Sequence, residues 1–197
     1  MKKIISILLL AVVCSWQFSV WAQIPATDKK KVVMVIAQNE FRDDEFFPPK
    51  EILEKNDIEV KVASTSLAQA RGSLGGVYRP DLLLTDVKAG DFAAIIFVGG
   101  MGATQYLDDP LAHKLAREFL NAKKIVAAIC IAPVILAKAG ILKGKRATVI
   151  PPEAGQLQQA GAIYAGKAVE RDGNIITANG PSAAREFVEA LVTALKE

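Results

Sequence analysis

Few residues in this 197-residue chain have the means to do chemistry, and Cys130 comes first among them. It stands in AAICIAPVILAKAG, where an apolar run gives way to a helical pattern. A sharp strand-to-helix turn at that point thrusts the side chain out over a sheet edge, the geometry of a nucleophile elbow. The amides of Ile131 and Ala132 would then open the helix beneath the sulfur. Their partial positive charge favours a thiolate and predicts a pKa below the ordinary ~8.5. The competing reading of a lone cysteine is a small buried hydrophobe, and spacing does not choose between them. Gly99-Gly100, followed by Gly102, ends the preceding apolar run. Glycines there let backbone amides approach a ligand or a developing oxyanion, although an ordinary tight turn has the same composition. Glu45, in EFRDDEFFPP, would lie at the mouth of the sheet within reach of a sulfur. Phe46, Phe47 and the prolines around it would raise its pKa by desolvation. Alternatively Glu45, with Asp43 and Asp44, merely decorates a helix start. His113 has charged neighbours at helical spacing, Asp109 and Arg117, so it is expected near a solvent face without a catalytic role.

The elements that must position these residues alternate between two periodicities. The runs 31–37, 58–64, 93–100 and 124–130 are almost wholly apolar or β-rich, as strands buried on both faces should be. Helical patterns cover 43–56, 109–122, 132–140 and 182–197. Pro48 and Pro49 predict a late start or a kink in the first of these helices. The segment 73–87 suits a short hairpin or edge excursion, and 167–179 a hairpin turning at Asp172-Gly173. Strands alternating with helices predict a flavodoxin-like α/β fold, a mostly parallel sheet with helices on both faces. Ligands and chemistry gather at the carboxyl ends of such strands.

The N-terminus is different in kind. Lys2 and Lys3 precede an apolar stretch of about 11 residues, with Val20 and Ala22 three and one before a cut. This describes a signal peptide over 1–22, a polar linker over 23–30 and one domain over 31–197. The apolar core falls short of the ~20 residues that span a bilayer. A retained anchor and a lipid-modified Cys14 are the alternatives, the latter opposed by bulky Val13. Cleavage would remove both tryptophans and Cys14 and lower the formal charge from +3 to +1. The exported chain, periplasmic or secreted, would keep one cysteine, with no internal disulfide open to it. With no basic tract and no metal-ligand cluster, no nucleic acid, cofactor or metal is expected as a partner, and no membrane after cleavage.

Taken together, a glutamate after the first strand, Gly-Gly at the end of a later strand and AAIC-x-x-P resemble the DJ-1/PfpI (ThiJ/PfpI) superfamily. NEFRDDEFFPPKEIL is similar to the family's opening segment, and FVGGMG to its Pro-Gly-Gly segment with Val98 in place of proline. AGILKGKRATVIPP and KAVERDGNIITANGPSAAREF follow in family order. The resemblance implies a homodimer with Cys130 at the elbow, Glu45 touching the sulfur, and an oxyanion pocket from the Gly99-Gly100 turn and the amides of Gly100 and Ile131.

The departures bear on activity. Many catalytic members carry histidine directly after the cysteine, where this chain has Ile131. Others supply one before a proline, where this chain has Ile150. Neither isoleucine can carry a proton. Three functions therefore stay open: a cell-envelope thiol protein meeting oxidants or small electrophiles through Cys130, a cysteine-dependent glyoxalase, deglycase or other hydrolase, and a non-catalytic binding module.

Overall fold

The computed structural model describes residues 29–197. The expected signal peptide over 1–22 and most of the expected linker over 23–30 lie outside the described residues. The first strand, β1 (Lys31–Val35), is followed by short β2 (Asn39–Phe41) and helix α1 (Asp43–Lys55). Next come β3 (Glu59–Ser64), a hairpin of β4 (Ala70–Gly72) and β5 (Val77–Tyr78), and β6 (Leu82–Leu83). Then β7 (Ala94–Phe97), α2 (Pro110–Asn121), β8 (Ile125–Ile129) and α3 (Pro133–Lys138) lead through the centre of the chain. The remainder holds β9 (Arg146–Ala147), α4 (Ala154–Gln159), β10 (Ile163–Tyr164), β11 (Val169–Asp172), β12 (Ile175–Ala178) and α5 (Ala184–Lys196).

Seven strands form the main sheet in the order β11-β12-β8-β7-β1-β3-β6. Every pairing is parallel except β11 with β12, the hairpin read at 167–179. Its two-residue loop is Gly173-Asn174, between paired Asp172 and Ile175. All residues of β7 and β8 are buried, and alternate residues of a strand point to opposite faces, so both faces are covered. Helices α1 and α5 pack together against one face, α2 and α3 against the other. The amphipathic patterns account for this: α5 buries Phe187, Val188, Leu191 and Leu195, while α2 buries Leu115, Ala116 and Phe119.

The late start expected of the first helix is corrected. Helix α1 starts at Asp43 and runs on through Pro48 and Pro49. Those prolines cannot donate to the carbonyls of Asp44 and Glu45, and tertiary packing of the helix outweighs that loss. Nor do the acidic residues cap it. The N-cap is Arg42, whose side chain makes no capping bond, and Asp43 turns away to accept the amides of Leu74 and Gly76, both at 2.7 Å. That buried carboxylate holds the β4–β5 hairpin over the start of α1.

Candidate active site

The carboxyl ends of β1, β7 and β8 deliver the three segments of the site. Strand β8 ends at Ile129, and Cys130 follows with φ 66°, in the left-handed region that a side chain rarely adopts. The strain persists because both backbone groups of Cys130 are bound: its N–H donates to the Ala178 carbonyl at 2.9 Å, and its carbonyl accepts the Ile150 amide at 2.9 Å. Helix α3 begins three residues on, at Pro133. The chain thus makes the strand-to-helix elbow read from the sequence, with the thiol half-buried.

Glu45, on the first turn of α1, is fully buried beside it. Its Oε2 accepts the Gly99 amide at 3.1 Å. Its Oε1 has no hydrogen-bond partner, and the carboxyl group as a whole lies within reach of the Cys130 side chain. An aromatic cluster surrounds the helix start. Phe46 packs edge-on to Phe41, Phe47 and Tyr78, with ring centroids 5.3, 4.8 and 5.0 Å away. Burial behind these rings is the main cause that lifts the Glu45 carboxyl from 4.5 to about 7. Contacts to Cys130, the Gly99 amide and Arg42 pull the other way without cancelling it.

The thiol departs from expectation. Burial first, and the negative charge of Glu45 second, push Cys130 up from 9.0 to about 11. Of the two amides read from the sequence, that of Ile131 faces the sulfur and lowers its pKa together with that of Gly100, but they are outweighed, and the Ala132 amide is instead committed to the Ile129 carbonyl at 3.1 Å. Helix α3 is a short helix of six residues, and it starts beyond the amide of Ile131. Burial and the Glu45 carboxylate thus both favour the protonated thiol over the thiolate.

The glycines take different parts. An ideal Cβ on Gly99 would stand 2.5 Å from the Cys130 Cβ and overlap Glu45 Oε2, so only glycine lets the two side chains meet. Its amide is committed to Glu45, leaving Gly100 and Ile131 as the donors on the sulfur side. Gly100 has φ 95° and backs onto the Glu40 carbonyl and the Arg42 amide, where a Cβ has no room. Ile150 sits against the elbow through its amide. The ring of His113, half-buried on α2, is engaged with the Leu107 carbonyl at 2.8 Å. Among the described residues, no group of three metal-ligating side chains gathers.

The DJ-1/PfpI family model matches residues 30–194, nearly the whole described chain. The chain belongs to the DJ-1/PfpI family. It is 45% identical over 170 residues to an uncharacterised protein of Methanocaldococcus jannaschii, covering 85% of this chain and 83% of the relative. It is 30% identical to the deglycase PfpI of Pyrococcus furiosus, covering 81% and 98% of the two chains. The crystal structure of a ThiJ/PfpI domain protein from Brachyspira murdochii superposes with a TM-score of 0.83 at 37% identity, over 84% of this chain and 96% of that one.

Within this DJ-1/PfpI site, sequence reasoning missed Arg42. Its amide donates to the Gly99 carbonyl at 3.0 Å and its carbonyl accepts the Glu45 amide at 3.1 Å. The signal available was its place, three residues before Glu45, at the end of the run from the first strand. The buried role of Asp43 was signalled by the glycine-rich SLGG segment, whose amides need an acceptor.

Proposed function

We propose that this chain is an exported thiol protein that takes up small electrophiles and oxidants through Cys130 in a stress response, with Glu45 moving the thiol's proton. One observation carries the reading: a strained, half-buried cysteine meets a fully buried carboxyl whose pKa lies near neutrality. A group poised there can take a proton and return it at working pH.

With a dicarbonyl, the S–H proton passes to the Glu45 carboxylate as sulfur bonds to the carbonyl carbon. The C=O π electrons move to oxygen, beside the amides of Gly100 and Ile131, and the proton returns from Glu45 to that oxygen. The product is a hemithioacetal. With peroxide, sulfur bonds to one oxygen while the O–O bond breaks. Glu45 gives its proton to the departing hydroxide, leaving a sulfenic acid and water.

The basic-then-apolar N-terminus supports export. Exposed Leu74 and Val77 on the β4–β5 hairpin, and exposed Met101 beside Gly100, support the pairing of two copies. The second reading is a cysteine-dependent deglycase or glyoxalase. The Pyrococcus relative's name favours it, as does a Glu45 able to serve as sole acid-base group.

The test is incubation with methylglyoxal, following intact mass and lactate together in wild type, Cys130→Ser and Glu45→Gln. A Cys130-dependent adduct with little lactate supports the first reading. Sustained lactate formation that vanishes in Cys130→Ser supports the second, and a wild type that gives neither adduct nor lactate rejects both.

A further inference from the structure

We propose that Arg42 and Asp44 are the positioning pair for Glu45, two opposed charges at the N-terminal end of α1 that decide where the proton of the Glu45–Cys130 pair resides. The inference rests on the reading of Cys130 and Glu45 as a reactive pair.

The geometry begins with a closed ring of hydrogen bonds. Arg42 donates its amide to the Gly99 carbonyl, Gly99 donates its own amide to Glu45 Oε2, and Glu45 donates its amide to the Arg42 carbonyl, at 3.0, 3.1 and 3.1 Å. This ring fixes the Arg42 backbone against the same turn that holds Glu45. From there the guanidinium reaches Asp44, with Nη2 3.0 Å from Oδ2. Its Nε is shut off from solvent and has no acceptor. Two of the three orphaned buried side-chain atoms among the described residues are thus Arg42 Nε and Glu45 Oε1, a donor and an acceptor three residues apart.

Helix stability does not explain the arginine. A cation at the N-cap opposes the helix dipole, and this one contributes no capping bond. What it does have is a charge partly shielded from water beside a buried carboxyl. The ionisable groups facing Glu45 are Arg42 and Asp44 from α1 and Cys130 from the elbow, while the β7 end contributes only the Gly99 amide. Arg42 favours the Glu45 carboxylate, and Asp44 opposes it more weakly. The pair is half-exposed, so its leverage is smaller than the ~1–3 units of a close buried partner.

The experiment is the pH dependence of Cys130 alkylation by iodoacetamide, resolved at that residue by mass spectrometry, in wild type, Arg42→Gln, Arg42→Lys, Asp44→Asn and the Arg42→Gln/Asp44→Asn double variant. The lower inflection of the rate should rise by roughly half a pH unit in Arg42→Gln and fall by a smaller amount in Asp44→Asn. The double variant should lie between them, and Arg42→Lys, which keeps the charge, should track wild type. Should Arg42→Gln fail to fold, Asp44→Asn decides alone, because the half-exposed Asp44 side chain carries only the ion pair. Inflections that coincide with wild type, or that move in one direction together, overturn the inference and leave the reactive pair standing. A wild-type Cys130 that resists alkylation at every pH overturns both.

Discussion

Gly99 is the spacer through which Glu45 reaches Cys130: its amide binds the carboxylate at 3.1 Å, and its missing Cβ is the space in which the two side chains meet. Gly99→Ala places a methyl against the Cys130 Cβ and the Ile129 carbonyl, neither of which can yield cheaply. Overpacking of this kind destabilises by about 1–3 kcal/mol. Denaturant unfolding should show that loss, and Cys130 alkylation should lose its lower inflection because Glu45 is displaced.

Burying Glu45 leaves a mark on stability against pH. Its folded pKa is raised above the unfolded value, so its contribution is fully present below about 4.5 and is lost as pH rises through about 7. At ~1.4 kcal/mol per unit, the loss approaches about 3 kcal/mol. Glu45→Gln keeps an acceptor for the Gly99 amide and removes the ionisation. The variant should therefore be the more stable protein above pH 7, with a flatter profile between pH 4.5 and 7. Urea midpoints measured across that window check this.

The missing histidines set a limit on turnover. Acid-base assistance is typically worth ~100- to 10,000-fold in rate, and both positions that could supply it are isoleucine. Wild type should form lactate from methylglyoxal slowly, and Ile131→His should raise the rate where the half-buried site accepts the ring. Fast lactate formation by wild type, abolished in Cys130→Ser, would mean that Glu45 suffices as the base.

Export has its own signature. Protein recovered from the native envelope fraction should begin near Gln23 and, without Trp16 and Trp21, emit only as tyrosine does. An intact N-terminus would favour a retained anchor.

Much of this fold was legible because parallel strands buried on both faces leave unbroken apolar runs. All four strands read that way, those ending near Ala37, Ser64, Gly100 and Cys130, are in the main sheet. The elbow was legible for the same reason, since the apolar run stops at the cysteine. Short pairings such as β2 with β4 and β9 with β10 were not, because two or three residues carry no periodicity. The sign of the thiol's shift was also hidden. Local sequence shows the helix-opening amides, whereas desolvation and the Glu45 charge come from segments 85 residues away in the chain. Pro48 and Pro49 misled because packing, not local propensity, decides where α1 begins.

The most direct measurement is site-resolved mass spectrometry of the protein after graded peroxide, with Met101 as an internal reference. Met101 is 67% exposed, whereas Cys130 is half-buried, so access alone would oxidise the methionine first. If Glu45 moves the proton that lets Cys130 react, the cysteine should gain oxygen at doses that leave Met101 untouched, and Glu45→Leu should reverse that order. Oxidised Met101 beside a still-reduced Cys130 in wild type would contradict the account.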